Sequence, residues 1–155
     1  MDTAALQTEL AQSANEFSAQ LQKLVVAINA DMSQVVRASV LKVFGNIIKR
    51  SPVDTGAYRA SHGIANYDPP STEGIVKGKK GSKISAPNKG NAWKWKVGDG
   101  DIFIYNNVPY AERIENGWSV RQAPQGVYRL ALAEFTAYMN QELTKYTTFE
   151  PMGGE

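Results

Sequence analysis

Lys49-Arg50-Ser51-Pro52-Val53-Asp54-Thr55-Gly56 is where the sequence changes character, and its reading decides the fold. The residue before a proline avoids the α region, and a Lys-Arg pair suits a helix C-terminus, so a helix arriving from the N-terminal side ends at Ser51. Pro52 then fixes φ, Asp54 can fold back on nearby N–H groups and Gly56 permits positive φ, which makes a tight connection.

Upstream, the first 50 residues contain no Pro and their only Gly is Gly45. Leu6, Leu10, Phe17, Leu21, Leu24, Ile28, Met32, Val35, Val36, Val40, Val43, Phe44 and Ile47 recur mostly three or four apart, which predicts a long N-terminal helix over 4–50. Such a helix is too long for its own domain: residues 6 to 48 would span roughly 65 Å, against a diameter of roughly 40 Å for a compact domain of this size. Either it bends near Asp31, where Asp31 and Gln34 have capping-box spacing, or its apolar end lies against another subunit.

Downstream, Tyr58 to Tyr67 reads as a first strand, Asp68-Pro69-Pro70 breaks it, and Gly74 to Val76 can start a second. Lys77 to Lys96 holds Lys77, Lys79, Lys80, Lys83, Lys89, Lys94 and Lys96, with no acid, among Gly, Ser and Pro. Its part 77–92 is expected to be an extended loop or arm. Trp93, Trp95 and Val97 alternate with Lys94 and Lys96, Gly98-Asp99-Gly100-Asp101 supplies a turn, and Ile102 to Tyr105 supplies a return strand, which predicts a β-hairpin. A short helix follows over 108–116, with Pro109 at a first helical position and Gly117 as its left-handed end. Pro124 opens a last helix, 124–146, whose stripe is Tyr128, Leu132, Phe135, Met139, Leu143 and Tyr146, and 149–155 is a loose tail. The fold class expected is α+β: a single domain over 1–148 with a small, mostly antiparallel sheet in 57–106, a basic loop or hairpin, and the C-terminal helix on one face of the sheet.

Composition sets limits. The chain has 155 residues, 17 Lys+Arg against 15 Asp+Glu, one His and no Cys. Disulfides, thiolate metal sites and cysteine nucleophiles are therefore excluded. Asp2 and Glu9 stand where a signal peptide would be basic, and the longest apolar run, Leu24 to Ile28, is far short of the ~20 residues of a membrane span. The reading expects no membrane partner and synthesis in the cytoplasm.

Chemistry is sparse. His62 is the lone histidine and reads as structural, with no second His or Cys to build a metal site. Asp99 and Asp101 flank Gly100 as in a turn, without the further oxygen ligands of a calcium loop. No catalytic residue, metal or cofactor is expected; a hydrolase using Asp54 or Glu115 lacks a nameable partner group. Non-specific DNA binding is the alternative, with lysines on phosphates and Trp93 or Trp95 stacking on bases.

Two segments resemble a known family. Ser51-Pro-Val-Asp-Thr-Gly-Ala-Tyr-Arg-Ala-Ser61 is similar to the P-x-D-T-G-x-L-R-x-S segment of the tail-completion and neck (head–tail connector) proteins of long-tailed bacteriophages. Tyr105-Asn-Asn-Val-Pro-Tyr-Ala-Glu-Arg-Ile-Glu-Asn-Gly117, followed by Gln122 to Val127, resembles that family's N-x-x-x-Y-A-x-x-x-E-x-G and its Pro-initiated helix. Tyr58 stands where Leu is usual, and Trp118 where Thr or Ser commonly follows.

The resemblance implies a non-enzymatic virion protein at the neck or proximal tail. Copies would form a ring of six through which DNA passes, contacting adjacent neck, connector and tail-terminator proteins. Its motif residues are Pro52, Asp54, Thr55, Gly56, Arg59, Tyr110, Ala111, Glu115, Gly117 and Pro124, and Arg59 is expected to pair with Glu115. Lys77, Lys79, Lys80, Lys83, Lys89, Trp93 and Trp95 are the candidate contacts to subunits or DNA.

Overall fold

The structure is a computed structural model, described here for residues 2–78, 90 and 92–145. Lys79, Lys80, Lys83 and Lys89, most of the expected arm, and the 149–155 tail lie outside the described residues.

Helix α1 runs uninterrupted from Thr3 to Arg50, through Asp31. Asp2 caps it, its Oδ1 accepting from the Ala4 N–H at 3.2 Å, and Ser51, extended before Pro52, closes it. Forty-eight residues at 1.5 Å each make about 72 Å. The buried residues are Val35, Ser39, Val40, Val43, Phe44 and Ile47, all in the second half. Residues 2–31 are exposed throughout.

By length and composition alone, α1 contains a stretch apolar enough to cross a membrane. The sequence reading looked instead for an unbroken apolar run, and α1 has none of that length: Asn29, Asp31, Gln34 and Arg37 interrupt it. The C-terminal half of α1 nevertheless carries Val43 and Ile47 into the protein core.

After Gly56, whose φ is 80°, the chain makes a single helical turn, α2 (Ala57–Ala60), and then β1 (His62–Ala65). The predicted strand from Tyr58 is thus corrected. The left-handed glycine sets up bonds from Ala60 N–H to Gly56 and from Ser61 N–H to Ala57, so extension begins only at His62. β1 pairs antiparallel with β2 (Phe103–Asn106), with His62 opposite Asn106 and Ala65 opposite Phe103.

The hairpin expectation is corrected as well. The Gly98–Gly100 turn exists, its Lys96 N–H bonded to Asp99 Oδ2 at 3.0 Å, but Trp93–Val97 lies along α1 instead of pairing with β2. Arg37 donates to the Trp93 carbonyl at 3.1 Å, Val97 N–H donates to Ser33 Oγ at 2.9 Å, and Trp93 Nε1 reaches Asn66 Oδ1 at 2.7 Å. Gly74–Val76 forms no strand; Val76 N–H bonds the Ser61 hydroxyl at 2.8 Å.

Helix α3 covers Ala111–Glu115, α4 Tyr128–Ala133 and α5 Phe135–Thr144. The last helix therefore starts four residues after Pro124 and is interrupted at Glu134, whose carboxylate is held by Arg50, Asn46 and Tyr138. Leu132, placed on the inward stripe from sequence, is exposed. α4 and α5 pack mainly along α1, and the fold is α+β. Val43, Ile47, Tyr58, Val108, Ile114, Ala123, Val127 and Ala131 form the core where these elements meet.

Candidate subunit interface

Arg59 and Glu115, the charged members of the two sequence segments, do not pair. Arg59 donates to the Ser51 carbonyl at 3.0 Å and to Lys49 at 3.5 Å, at the C-terminus of α1. Glu115 accepts from the N–H groups of Val127, Tyr128 and Arg129, each at 2.9 Å, at the N-terminus of α4. Each charge closes a helix end of opposite partial charge, so both are compensated without meeting. Burial pushes the Glu115 carboxyl up, but those three backbone donors and the Arg129 charge outweigh it and hold the group below the usual carboxylate range.

Between them runs a buried polar network. Asn106 donates through Nδ2 to the Tyr58 carbonyl at 2.8 Å and accepts through Oδ1 from Val108 N–H at 3.2 Å, which fixes its amide orientation. Its Nδ2 also faces His62 Nδ1 at 3.2 Å, so that ring nitrogen must be an acceptor. Tyr128 donates its hydroxyl to the same nitrogen at 2.8 Å. On the other side, His62 Nε2 lies 2.6 Å from Ser51 Oγ, whose one hydrogen goes to the Ile47 carbonyl at 2.7 Å. The ring is therefore neutral with its proton on Nε2. His62 is a structural clamp joining α1, β1, β2 and α4, with its donor and acceptor both used.

The two segments also form the walls of one open, mostly apolar groove of about 920 Å³. Residues 52–58 line one side, 75–78 its edge, and 108–110 with Ile114, Trp118, Ser119 and Gln122 the other. Gln122 bridges the walls, accepting from Val53 N–H at 2.7 Å and donating to the Val53 carbonyl at 3.3 Å. Thr55 Oγ1 accepts from Ala57 N–H at 3.2 Å, starting α2, and Gly78 lies so near Thr55 that a Cβ would not fit. Tyr58 is 4% exposed and its hydroxyl has no hydrogen-bond partner among the described residues. Burial, with Glu115 and Tyr110 nearby, pushes its pKa up, so it remains a donor.

The structure thus gathers Pro52, Asp54, Thr55, Gly56 and Tyr110 at the groove, with Ala111 behind it against the core. Gly117, at φ 85°, ends α3 as expected and approaches the Pro124 carbonyl. Asp54 is exposed and makes no turn-closing bond among the described residues; Thr55 performs that role. Trp93 is buried and offers no face to a base, while Lys77, Lys94 and Lys96 are exposed. Sequence reasoning gave Asn106 no role, took Ser51 only as the end of α1 and placed Tyr128 only on an apolar helix stripe. Asn106 stood inside the quoted segment, but two of its partners, Tyr58 and His62, lie more than forty residues away. Among the described residues no cluster of His, Asp or Glu could hold a metal ion.

A groove built from two separated sequence segments beside a long uncovered helix belongs to a protein that contacts other proteins. Residues 15–117, about two-thirds of the chain, match the family described as "Bacteriophage HK97-gp10, putative tail-component", and the chain belongs to that family. It is a structural protein of the phage tail and so part of the virion. No curated protein and no solved structure matches it.

Proposed function

We propose that this tail protein acts at the head–tail junction or proximal tail end as a neck or tail-completion protein. Its copies, six on the family resemblance, close into a ring around the DNA passage and help join tail to head. The observation that carries the reading is the N-terminal half of α1: residues 2–31 are exposed and bear an apolar stripe that includes Leu10, Phe17 and Leu24. A monomer rarely leaves such a face uncovered, and closed rings are built by placing one surface of each copy on a different surface of the next. Exposed Lys94 and Lys96 are available to DNA in the lumen, as non-specific phosphate contacts.

The test is localisation. Class averages of tails carrying a tagged copy are expected to show a discrete ring at the end that meets the head, and tails assembled without the protein are expected to remain unjoined. Label along the tail tube, or normal joining without the protein, would overturn the reading.

A further inference from the structure

We infer that the groove between the two sequence segments receives the N-terminal half of α1 from the adjacent copy. The inference rests on the ring reading above and names the contact that closes it. Among the described residues nothing covers either surface: Phe17 on the ridge is 63% exposed and Trp118 at the groove rim is 65% exposed. One is convex and apolar, the other concave and apolar, which is the relation a head-to-tail contact requires.

Reach and charge agree with that occupant. The exposed part of α1, residues 3–31, extends about 43 Å. The remaining body, of roughly 115 residues, has a diameter of about 35 Å. The helix therefore reaches the neighbouring copy and not the one beyond. At 100° per residue, Leu6 to Ile28 of the stripe occupy a sector of about 60°, with Asp2, Glu9, Glu16 and Asp31 on one flank, opposed there by Lys23 alone. The opposite flank, with Ala11, Ser18, Gln22 and Val25, carries no charge. At the groove, Asp54 and Lys77 cancel along the lining, while Arg113 stacks on the rim Trp118 at 5.6 Å from the ring centroid. A ridge acidic on one side only fits a groove with a cationic edge.

The chain has no cysteine, so disulfide trapping starts from a clean background. Full-length Trp118→Cys is mixed under mild oxidation with Leu10→Cys, Phe17→Cys or Leu24→Cys, all at exposed positions. The expected product is a mixed disulfide with at least one ridge position, several-fold above any ridge-to-ridge product. Dominant ridge-to-ridge disulfides would show helix pairing with helix and overturn the inference. Oligomers in native mass spectra with no mixed disulfide would overturn it too, while leaving the ring reading intact. Monomers that never cross-link would also overturn it; the ring reading itself is decided separately, by the localisation and joining experiment.

Discussion

Gly126 lies directly against Glu115: a Cβ on Gly126 would stand 2.5 Å from the Glu115 backbone oxygen and 2.8 Å from its carboxylate. That closeness, with Gly126 at φ 81°, lets one carboxylate from α3 cap the first turn of α4 across the loop 116–127. Gly126→Ala is expected to cost about 2–4 kcal/mol, combining a strained φ with a steric clash. Glu115→Ala, which strands three backbone donors, should cost a similar amount, about 2–4 kcal/mol, and Glu115→Gln about half of that. Urea unfolding of the three variants measures the order.

Acid should act partly through the same group. Glu115, Glu134 and Glu142 all sit below the ordinary glutamate value of 4.5 in the folded protein. A depressed carboxyl contributes stability fully above its unfolded value, and that contribution disappears as pH falls through the folded value. Stability is therefore expected to be flat with respect to these groups above about pH 4.5 and to fall below it. Glu115→Gln should show a shallower fall, read from unfolding midpoints across that range.

Arg59 and Glu115 should behave independently. Arg59→Ala removes the closure of α1 at Ser51 and is expected to cost about 1–2 kcal/mol. In a double-mutant cycle with Glu115→Ala, the coupling should stay below about 0.5 kcal/mol. Coupling above about 1 kcal/mol would mean that the two charges interact.

The His62 network fixes a tautomer that NMR can read. Nitrogen-15 shifts are expected to show Nε2 protonated and Nδ1 bare, because Asn106 Nδ2 and the Tyr128 hydroxyl both point at Nδ1. Asn106→Asp places an acceptor where the Tyr58 carbonyl and His62 Nδ1 both need a donor, and should cost about 2–4 kcal/mol. A proton on Nδ1 would refute the assignment.

Replacing Leu10, Phe17 and Leu24 by Ser should separate assembly from folding. All three are exposed, so the change in unfolding free energy of the single chain should stay within about 0.5 kcal/mol. Ring formation and joining of tails to heads, followed by electron microscopy, should be lost.

Much of the architecture was legible in the sequence. The three-and-four spacing from Leu6 to Ile47, uninterrupted by Pro, is a local signal that determines a helix whatever it packs against, and Ser51-Pro52 ends it for steric reasons that are also local. Gly117 announced its left-handed turn in the same way. Length alone showed that the helix would outrun its body.

Partner choice was not legible, because it depends on which surfaces remain after packing. Trp93–Val97 alternates as a strand should, yet Arg37 and Ser33 of α1 take its backbone groups, and β2 pairs instead with β1 some forty residues away. Arg59 and Glu115 looked like mutual partners because each had an unmet charge. Only the tertiary structure brought a helix end of opposite sign to each: the stop of α1 was legible in Ser51-Pro52, but not which side chain would fold onto it. Sequence by itself determined the elements with short-range causes: the long helix, its stop, the glycine turns and the family. Tertiary structure decided the strand pairing, the neutral His62 clamp and the groove, since each needs groups distant in the chain to meet before its energy exists.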